Sequence, residues 1–195
     1  MAARISVTMS TTLDGVVQGP GRPDEDTRGG FAHGGWGDGF ADEVQGAFMA
    51  EGMSASGAML FGHRTYVDLL SHWTAVTEPN PFAGYLTQVH KYVVSRDPST
   101  ALGFPESVLL TGEAVDTVAR LKVELDGDLS VIGSGALVRS LHAAGLVDEY
   151  TLLVHPIVLG SGTRLFGDGD RTDLELTRSV TTTTGVVIAQ YAVRH

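Results

Sequence analysis

The sequence predicts an α/β protein with a mostly parallel central sheet finished by antiparallel strands. Three observations carry this. Short β-branched or apolar runs alternate with helix-like stretches from Ile5 to Ala144. From Glu149 onward, strand-like segments follow one another with no helical stretch between them. The strand-to-helix junctions are built of glycine and small polar residues, as in Gly62-His63-Arg64-Thr65 and Gly133-Ser134-Gly135. Parallel strands need a crossover, which helices supply, whereas strands in direct succession pair antiparallel.

Taken in order, Ile5-Ser6-Val7-Thr8-Met9-Ser10 alternates and is β-branched, so it reads as the first strand. Asp14 to Gly39 is dense in Gly, Pro and Asp without a period, and a loop of that length in a compact domain is usually functional. Asp38 to Ser54 reads as a helix, with Phe40, Val44, Ala47 and Phe48 near helical spacing. Ala58-Met59-Leu60-Phe61 is a short buried strand, Arg64 to Leu70 a helix, and Thr77 to Pro81 a turn region. Lys91 to Ser95 and Val108 to Leu110 are the third and fourth strands. Ala114 to Leu125 carries Val115, Val118, Leu121 and Leu125 on one helical face. Leu129 to Ile132 is a strand, and Ser134 to Ala144 a helix that Gly145 closes. Glu149 to His155, Leu174 to Val180 and Gly185 to Val193 complete the strands, with Thr181 to Gly185 as a hairpin turn.

With 195 residues the chain has room for one domain and a sizeable core. The formal net charge of −10 argues against nucleic acid or an anionic membrane as the main partner, because both require a basic face. A phosphorylated cofactor remains compatible, since local arginines and helix ends can hold one within an acidic protein. The absence of cysteine excludes disulfides, thiolate metal sites and cysteine nucleophiles. No histidine pair has H-x-x-x-H spacing, no carboxylate set matches an EF-hand loop, and Gly-x-Ser-x-Gly is missing. The expectation is therefore no metal. The N-terminus enters a strand directly and no run reaches transmembrane length, so the expected location is the cytoplasm.

In Val131-Ile132-Gly133-Ser134-Gly135-Ala136-Leu137-Val138, small residues separate a strand from a helix. Backbone there can approach a pyrophosphate, and the helix N-terminus offers N–H groups and a positive dipole end. The third glycine of a Rossmann fingerprint is absent, because Val138 occupies its place. A glycine turn without a ligand is the alternative. Gly62-His63-Arg64-Thr65 is a second such junction, either a phosphate site charged by Arg64 or an ordinary helix start. Ser95-Arg96 follows a strand end and suits a ribose 2′-phosphate, or forms a solvated turn before Asp97-Pro98. Asp14-Gly15 closes the first strand as a turn, and Trp36 among Gly34, Gly35 and Gly37 is either a mobile flap over a flat ring or a plug at the core edge.

Together these residues resemble the dihydrofolate-reductase-like family, in the branch containing the reductase domain of bacterial riboflavin biosynthesis. The resemblance spans nearly the whole chain. It rests on Ser10-Thr11-Thr12-Leu13-Asp14-Gly15-Val16, Leu60 to Tyr66, Lys91 to Arg96, Val131 to Val138, and Val147 to Tyr150 leading to His155-Pro156-Ile157-Val158-Leu159-Gly160-Ser161-Gly162-Thr163-Arg164-Leu165-Phe166. It implies a single three-layer domain over residues 1–195 that binds NADPH and reduces a small heterocyclic or conjugated molecule, pterin-like or riboflavin-precursor-like. In that reading Gly62, His63, Arg64 and Thr65 meet the phosphates, and Ser95 and Arg96 favour the 2′-phosphate. Gly133, Ser134, Gly135, Ala136 and Leu137 cradle the pyrophosphate. Met9 and Ser10 lie near the nicotinamide, Asp14 assists protonation, and Gly15 and Trp36 border the substrate. Typical members place Arg directly after the first glycine of this junction, where this chain has His63 with Arg64 next. The resemblance also implies a homodimer, with Asp148 to Phe166 and the terminal strands as its interface. The rival reading is a nucleotide-binding or interaction module of the same fold without turnover.

Overall fold

The computed structural model describes residues 3–55, 57–78 and 80–194. Eight strands and five α-helices alternate as β1 (Ile5–Thr12), α1 (Glu43–Ala55), β2 (Ala58–Gly62), α2 (His63–Thr74), α3 (Pro81–Gln88), β3 (His90–Ser95), β4 (Ser107–Thr111), α4 (Ala114–Glu124), β5 (Leu129–Val131), α5 (Gly135–Ala143), β6 (Glu149–His155), β7 (Leu174–Thr181) and β8 (Val187–Val193). The strand order is β4-β3-β2-β5-β1-β6-β8-β7. Strands β2, β3, β4 and β5 pair in parallel, while β8 runs antiparallel to both β6 and β7. The parallel sheet with an antiparallel finish is the architecture expected from the sequence.

Packing divides the chain into two compact units, one of Met1–Ser6 with Ala55–Leu146 and one of Val7–Ser54 with Val147–His195. In the first, Met59 and Phe61 of β2 and Val93 of β3 are buried against Tyr66 and Leu70 of α2 and Leu86 of α3. Tyr66 and Leu70 stand four residues apart, so both lie on the helix face turned to the sheet. Burying side chains of this size contributes about 1.5–3 kcal/mol each. The Tyr66 hydroxyl donates to Ser107 Oγ at 3.0 Å and accepts from Phe104 N–H at 3.0 Å, so its burial leaves no polar atom stranded.

The segment read as a turn at Thr77 to Pro81 leads instead into α3. Asn80 Oδ1 accepts from the N–H groups of Phe82 and Ala83, and Pro81 occupies the first helical position, where a missing N–H costs nothing. The far end of α3 is closed by Lys91, which is fully buried. Its ammonium donates to the carbonyls of Leu86 at 2.8 Å and Val89 at 2.7 Å.

In the second unit, Phe48 of α1 packs with Leu153 of β6 and Ile188 of β8, and Phe40 and Met49 join them. Helix α1 begins at Glu43, not at Asp38. Gly39 has φ +78, outside the helical range, and the Asp42 carboxylate accepts from Gln45 N–H at 2.8 Å as the cap. The other Asp42 oxygen accepts from the N–H and hydroxyl of Thr183, which ties α1 to the β7–β8 hairpin. That hairpin turns at Gly185, φ +86.

Candidate functional site

The first unit brings three of the sequence-predicted junctions to one edge. Strands β5, β2 and β3 are neighbours running in the same direction. Ile132-Gly133-Ser134, Gly62-His63 and Ser95-Arg96 therefore leave their carboxyl ends side by side, the edge where open α/β sheets bind ligands. The first two junctions touch. A Cβ added at Gly62 would lie 3.1 Å from Ser134 Oγ, and one added at Gly133 would lie 3.1 Å from Thr65 Cγ2. Gly133 has φ +144, open to glycine alone, and the peptide bond between Gly133 and Ser134 is cis.

Two helices start from this contact, α2 after Gly62 and α5 after Ser134. The amides of a helix's first turn lack intrahelical acceptors, and the dipole end there is positive. Gly62 supplies no side-chain cap to α2. Arg64 is exposed in its first turn and makes no ion pair among the described residues. In α5 the Ser134 hydroxyl accepts from Leu137 N–H at 3.3 Å and the Leu137 side chain is buried. Leu137 thus serves the core and the cap, which leaves Gly135 and Ala136 as the backbone a ligand would meet. His63 lies over Tyr66, ring centroids 6.4 Å apart.

At the end of β3, Ser95 Oγ is within 2.7 Å of Thr100 Oγ1 and accepts from Asp97 N–H. Arg96 is exposed and held by Glu113 through two contacts, Nε to Oε1 at 2.8 Å and Nη2 to Oε2 at 3.1 Å. An exposed pair of this kind is weak and rearranges readily.

The second unit holds Met9, Ser10, Asp14, Gly15 and Trp36. Met9 is buried and Ser10 half-buried on β1. Asp14 accepts from the Thr12 hydroxyl at 2.6 Å, Gly160 N–H at 2.8 Å and Leu159 N–H at 3.2 Å. The Thr12 hydrogen bond foremost, with those from Gly160 and Leu159, holds its carboxyl down at about 2. A carboxylate so placed is engaged by three donors of its own chain. It fastens the β1 turn to the loop after β6. Gly15 takes φ +82 in that turn, and its carbonyl accepts from Leu165 N–H at 2.9 Å.

Trp36 sits in the position of a plug at the core edge. It is 7% exposed, packs with Val16 and Phe31, and donates its indole N–H to Gln18 O at 2.7 Å. The indole ring is a large apolar surface with one polar atom, and both are used internally.

A family model described as the RibD C-terminal domain matches residues 3–188. The chain belongs to the RibD C-terminal domain family. This is a reductase-type family. The uncharacterized protein YyaP of Bacillus subtilis (strain 168) is 27% identical, over 96% of this chain and 94% of that protein. Among solved structures, a putative riboflavin biosynthesis protein from Shewanella sp. PV-4 superposes with TM-score 0.73 and 22% identity, covering 100% of both chains. Dihydrofolate reductase from Enterococcus faecalis, solved with NADP(H), superposes with TM-score 0.63 at 10% identity, again over 100% of both chains. The fold is dihydrofolate-reductase-like.

Sequence reasoning passed over two residues of this family member's second unit. His155, at the end of β6, is 2% exposed, and neither ring nitrogen has a hydrogen-bond partner. Burial depresses its proton affinity below the usual histidine range. Gln45 Oε1, on α1, is likewise buried without a partner. A histidine ending an otherwise apolar strand was the available signal. Among the described residues no three His, Cys, Asp or Glu side chains cluster to hold a metal, and no helix is long and apolar enough to cross a membrane.

Proposed function

We propose that this protein is an NADPH-dependent reductase of a small heterocyclic or conjugated substrate. The observation that carries the reading is the contact between the two glycine junctions, where a Cβ on either glycine would fill the space and two helix N-termini start together. That cradle suits a diphosphate, because paired N-termini concentrate unfilled N–H donors and positive potential on one anion. Arg64 adds a guanidinium, and Arg96 a second for a 2′-phosphate. Family membership supports the reaction class.

When bound, NADPH supplies the hydride. The chain's part is to bind and orient. The α2 and α5 first turns fix the phosphates, and Asp14 fixes the β1 turn through Leu159 and Gly160. The hydrogen bonds that hold the Asp14 carboxyl low favour its anion, which suits it to fixing this turn. The rival reading is binding without turnover.

Isothermal titration of the full chain with NADPH and NADH tests the proposal. Saturable NADPH binding, with NADPH oxidation on a panel of pterins, flavin precursors and quinones, is the expected result. Binding without oxidation across that panel selects the rival. No binding of either cofactor at millimolar concentration overturns both.

A further inference from the structure

We propose that Asp38-Gly39 is a site of spontaneous isoaspartate formation, and that this modification loosens the hold on the start of helix α1. The site needs no ligand, so it is independent of the reductase reading. The reaction requires an aspartate whose carboxyl carbon can be reached by the main-chain nitrogen of the next residue. Glycine leaves that nitrogen unhindered, because it has no Cβ.

The chain has four such pairs, Asp14-Gly15, Asp38-Gly39, Asp126-Gly127 and Asp168-Gly169. The structure separates them. Gly39 N–H donates to Oδ1 of Asp38, its own neighbour, at 2.9 Å. The attacking nitrogen and the carboxyl it must attack are therefore already together, and proximity of this kind removes much of the entropic part of a barrier. Among the described residues no other Asp-Gly pair makes this contact. At Asp14-Gly15 the two groups are turned apart. Gly15 N–H donates to Thr12 O at 3.0 Å, and the Asp14 carboxylate is taken by Thr12, Leu159 and Gly160.

Asp38 and Gly39 are both exposed, and a Cβ built on Gly39 would meet nothing within 4 Å. Water reaches the pair, and a ring has room to form. In the first step the Gly39 nitrogen bonds to Asp38 Cγ and gives up its proton, while one carboxyl oxygen leaves as water. The product is a cyclic succinimide. Solvent water then opens one of its two ring C–N bonds. Breaking the bond to Cγ restores aspartate. Breaking the bond to the Asp38 main-chain carbonyl carbon routes the chain through Cβ and Cγ, which is isoaspartate at unchanged mass. Nothing is oxidised or reduced.

The surroundings give the modification a consequence. Upstream, Trp36 is fastened through its indole N–H to Gln18 O, and Gly37 N–H donates to Pro20 O at 2.9 Å. Downstream, Phe40 packs with Phe48 and Leu153, and its carbonyl accepts from the Thr184 hydroxyl at 2.6 Å. Isoaspartate inserts one main-chain carbon between these two anchors. The upstream side is close-packed, since even a Cβ on Gly37 would lie 2.9 Å from Pro20 O. The added length therefore falls on Phe40 and on the Asp42 cap of α1.

The test ages the full chain at neutral pH, folded and in denaturing urea. Peptide mapping separates each isoaspartyl peptide from its parent of equal mass, and an isoaspartyl methyltransferase with a labelled methyl donor counts the product. In the folded chain isoaspartate should accumulate first at position 38, about tenfold faster than at position 14. In urea the four pairs should converge. The separated isoaspartyl form should unfold at a lower urea midpoint than the unmodified chain. Asp38→Glu, an exposed change whose longer side chain closes the ring less readily, should keep its midpoint through the same ageing. Isoaspartate appearing in the folded chain no sooner at position 38 than at 14, 126 or 168 overturns the site. An unchanged midpoint in the isoaspartyl form, or an equal decline in aged Asp38→Glu, overturns the loosening of α1.

Discussion

His155 shows how one residue couples burial to pH. Its imidazole is enclosed by Trp36 and Phe40, and burial lowers its proton affinity in the folded chain from the ordinary value of 6.5. The unfolded chain therefore takes up a proton in a window where the native state does not. Stability rises with pH wherever the unfolded state binds more protons. The contribution is complete above 6.5 and is lost as pH falls below it. Urea titrations across that range should give a midpoint that declines on acidification in the unmodified chain and declines less in H155F. Equal slopes for the two proteins would refute the assignment. Arg96 carries a second prediction at this scale. Its guanidinium is held by Glu113 at the surface, and a 2′-phosphate would have to draw it away. Arg96→Ala should weaken NADPH about tenfold and leave NADH unchanged. Glu113→Gln should tighten NADPH without affecting NADH. Parallel calorimetric titrations of both cofactors check the pair, and a common change for NADPH and NADH would remove Arg96 from 2′-phosphate recognition.

Among the elements, α3 depends on a residue outside it. Buried Lys91 donates to the Leu86 and Val89 carbonyls that close the helix. Lys91→Met keeps most of the buried volume but leaves both carbonyls without that donor, at a cost of about 2–3 kcal/mol. Chemical denaturation should show this as a lower midpoint with an unchanged slope. The two glycine junctions differ in a way that separates binding from folding. Gly133, at φ +144, cannot take a side chain without strain, whereas Gly62, at φ −75, can. Gly62→Ala is therefore the cleaner probe. Its methyl group would meet Ser134 Oγ at 3.1 Å, in the proposed phosphate cradle. It should cost under about 1 kcal/mol of stability while weakening NADPH about tenfold, measured by denaturation and calorimetry on one preparation.

The elements that were legible in the sequence were those with a period or a punctuated end. Helix α4 shows its apolar face in Val118 and Leu121, and α5 shows its cap in Ser134 and its stop in Gly145. Helix α3 was not legible because Gly84 interrupts its pattern and Asn80-Pro81 reads equally as a turn; the Asn cap and first-position Pro were the signal that distinguishes a helix start. The glycine junctions were legible as strand-to-helix turns because small residues mark them between a β-branched run and a helical run. Their mutual contact was not, since it arises from the β2–β5 pairing. The contacts that hold Asp14 and Trp36 were not legible for the same reason. Both are settled by partners distant in sequence, Leu159 and Gly160 for the carboxylate and Val16, Gln18 and His155 for the indole.

Over the whole molecule, hydrogen exchange can locate the proposed phosphate binding in one of the two units. All the proposed phosphate contacts fall in the first unit, while Gly15 and Trp36 fall in the second. A ligand that binds only the folded chain stabilises it by about 2.7 kcal/mol at a hundredfold excess over Kd. Amides released by global unfolding should slow uniformly by that amount, so the location of binding must be read from amides that exchange by local opening. With NADPH, the first-turn amides of α2 and α5 should gain protection beyond the global effect, and those of the β7–β8 hairpin should not. The net charge of −10 sharpens the test. A dinucleotide anion is repelled by the molecule as a whole and attracted only locally, so non-specific association cannot mimic the pattern. Extra protection confined to the second unit, or spread evenly over both, would remove the paired helix N-termini from cofactor binding whatever the measured affinity.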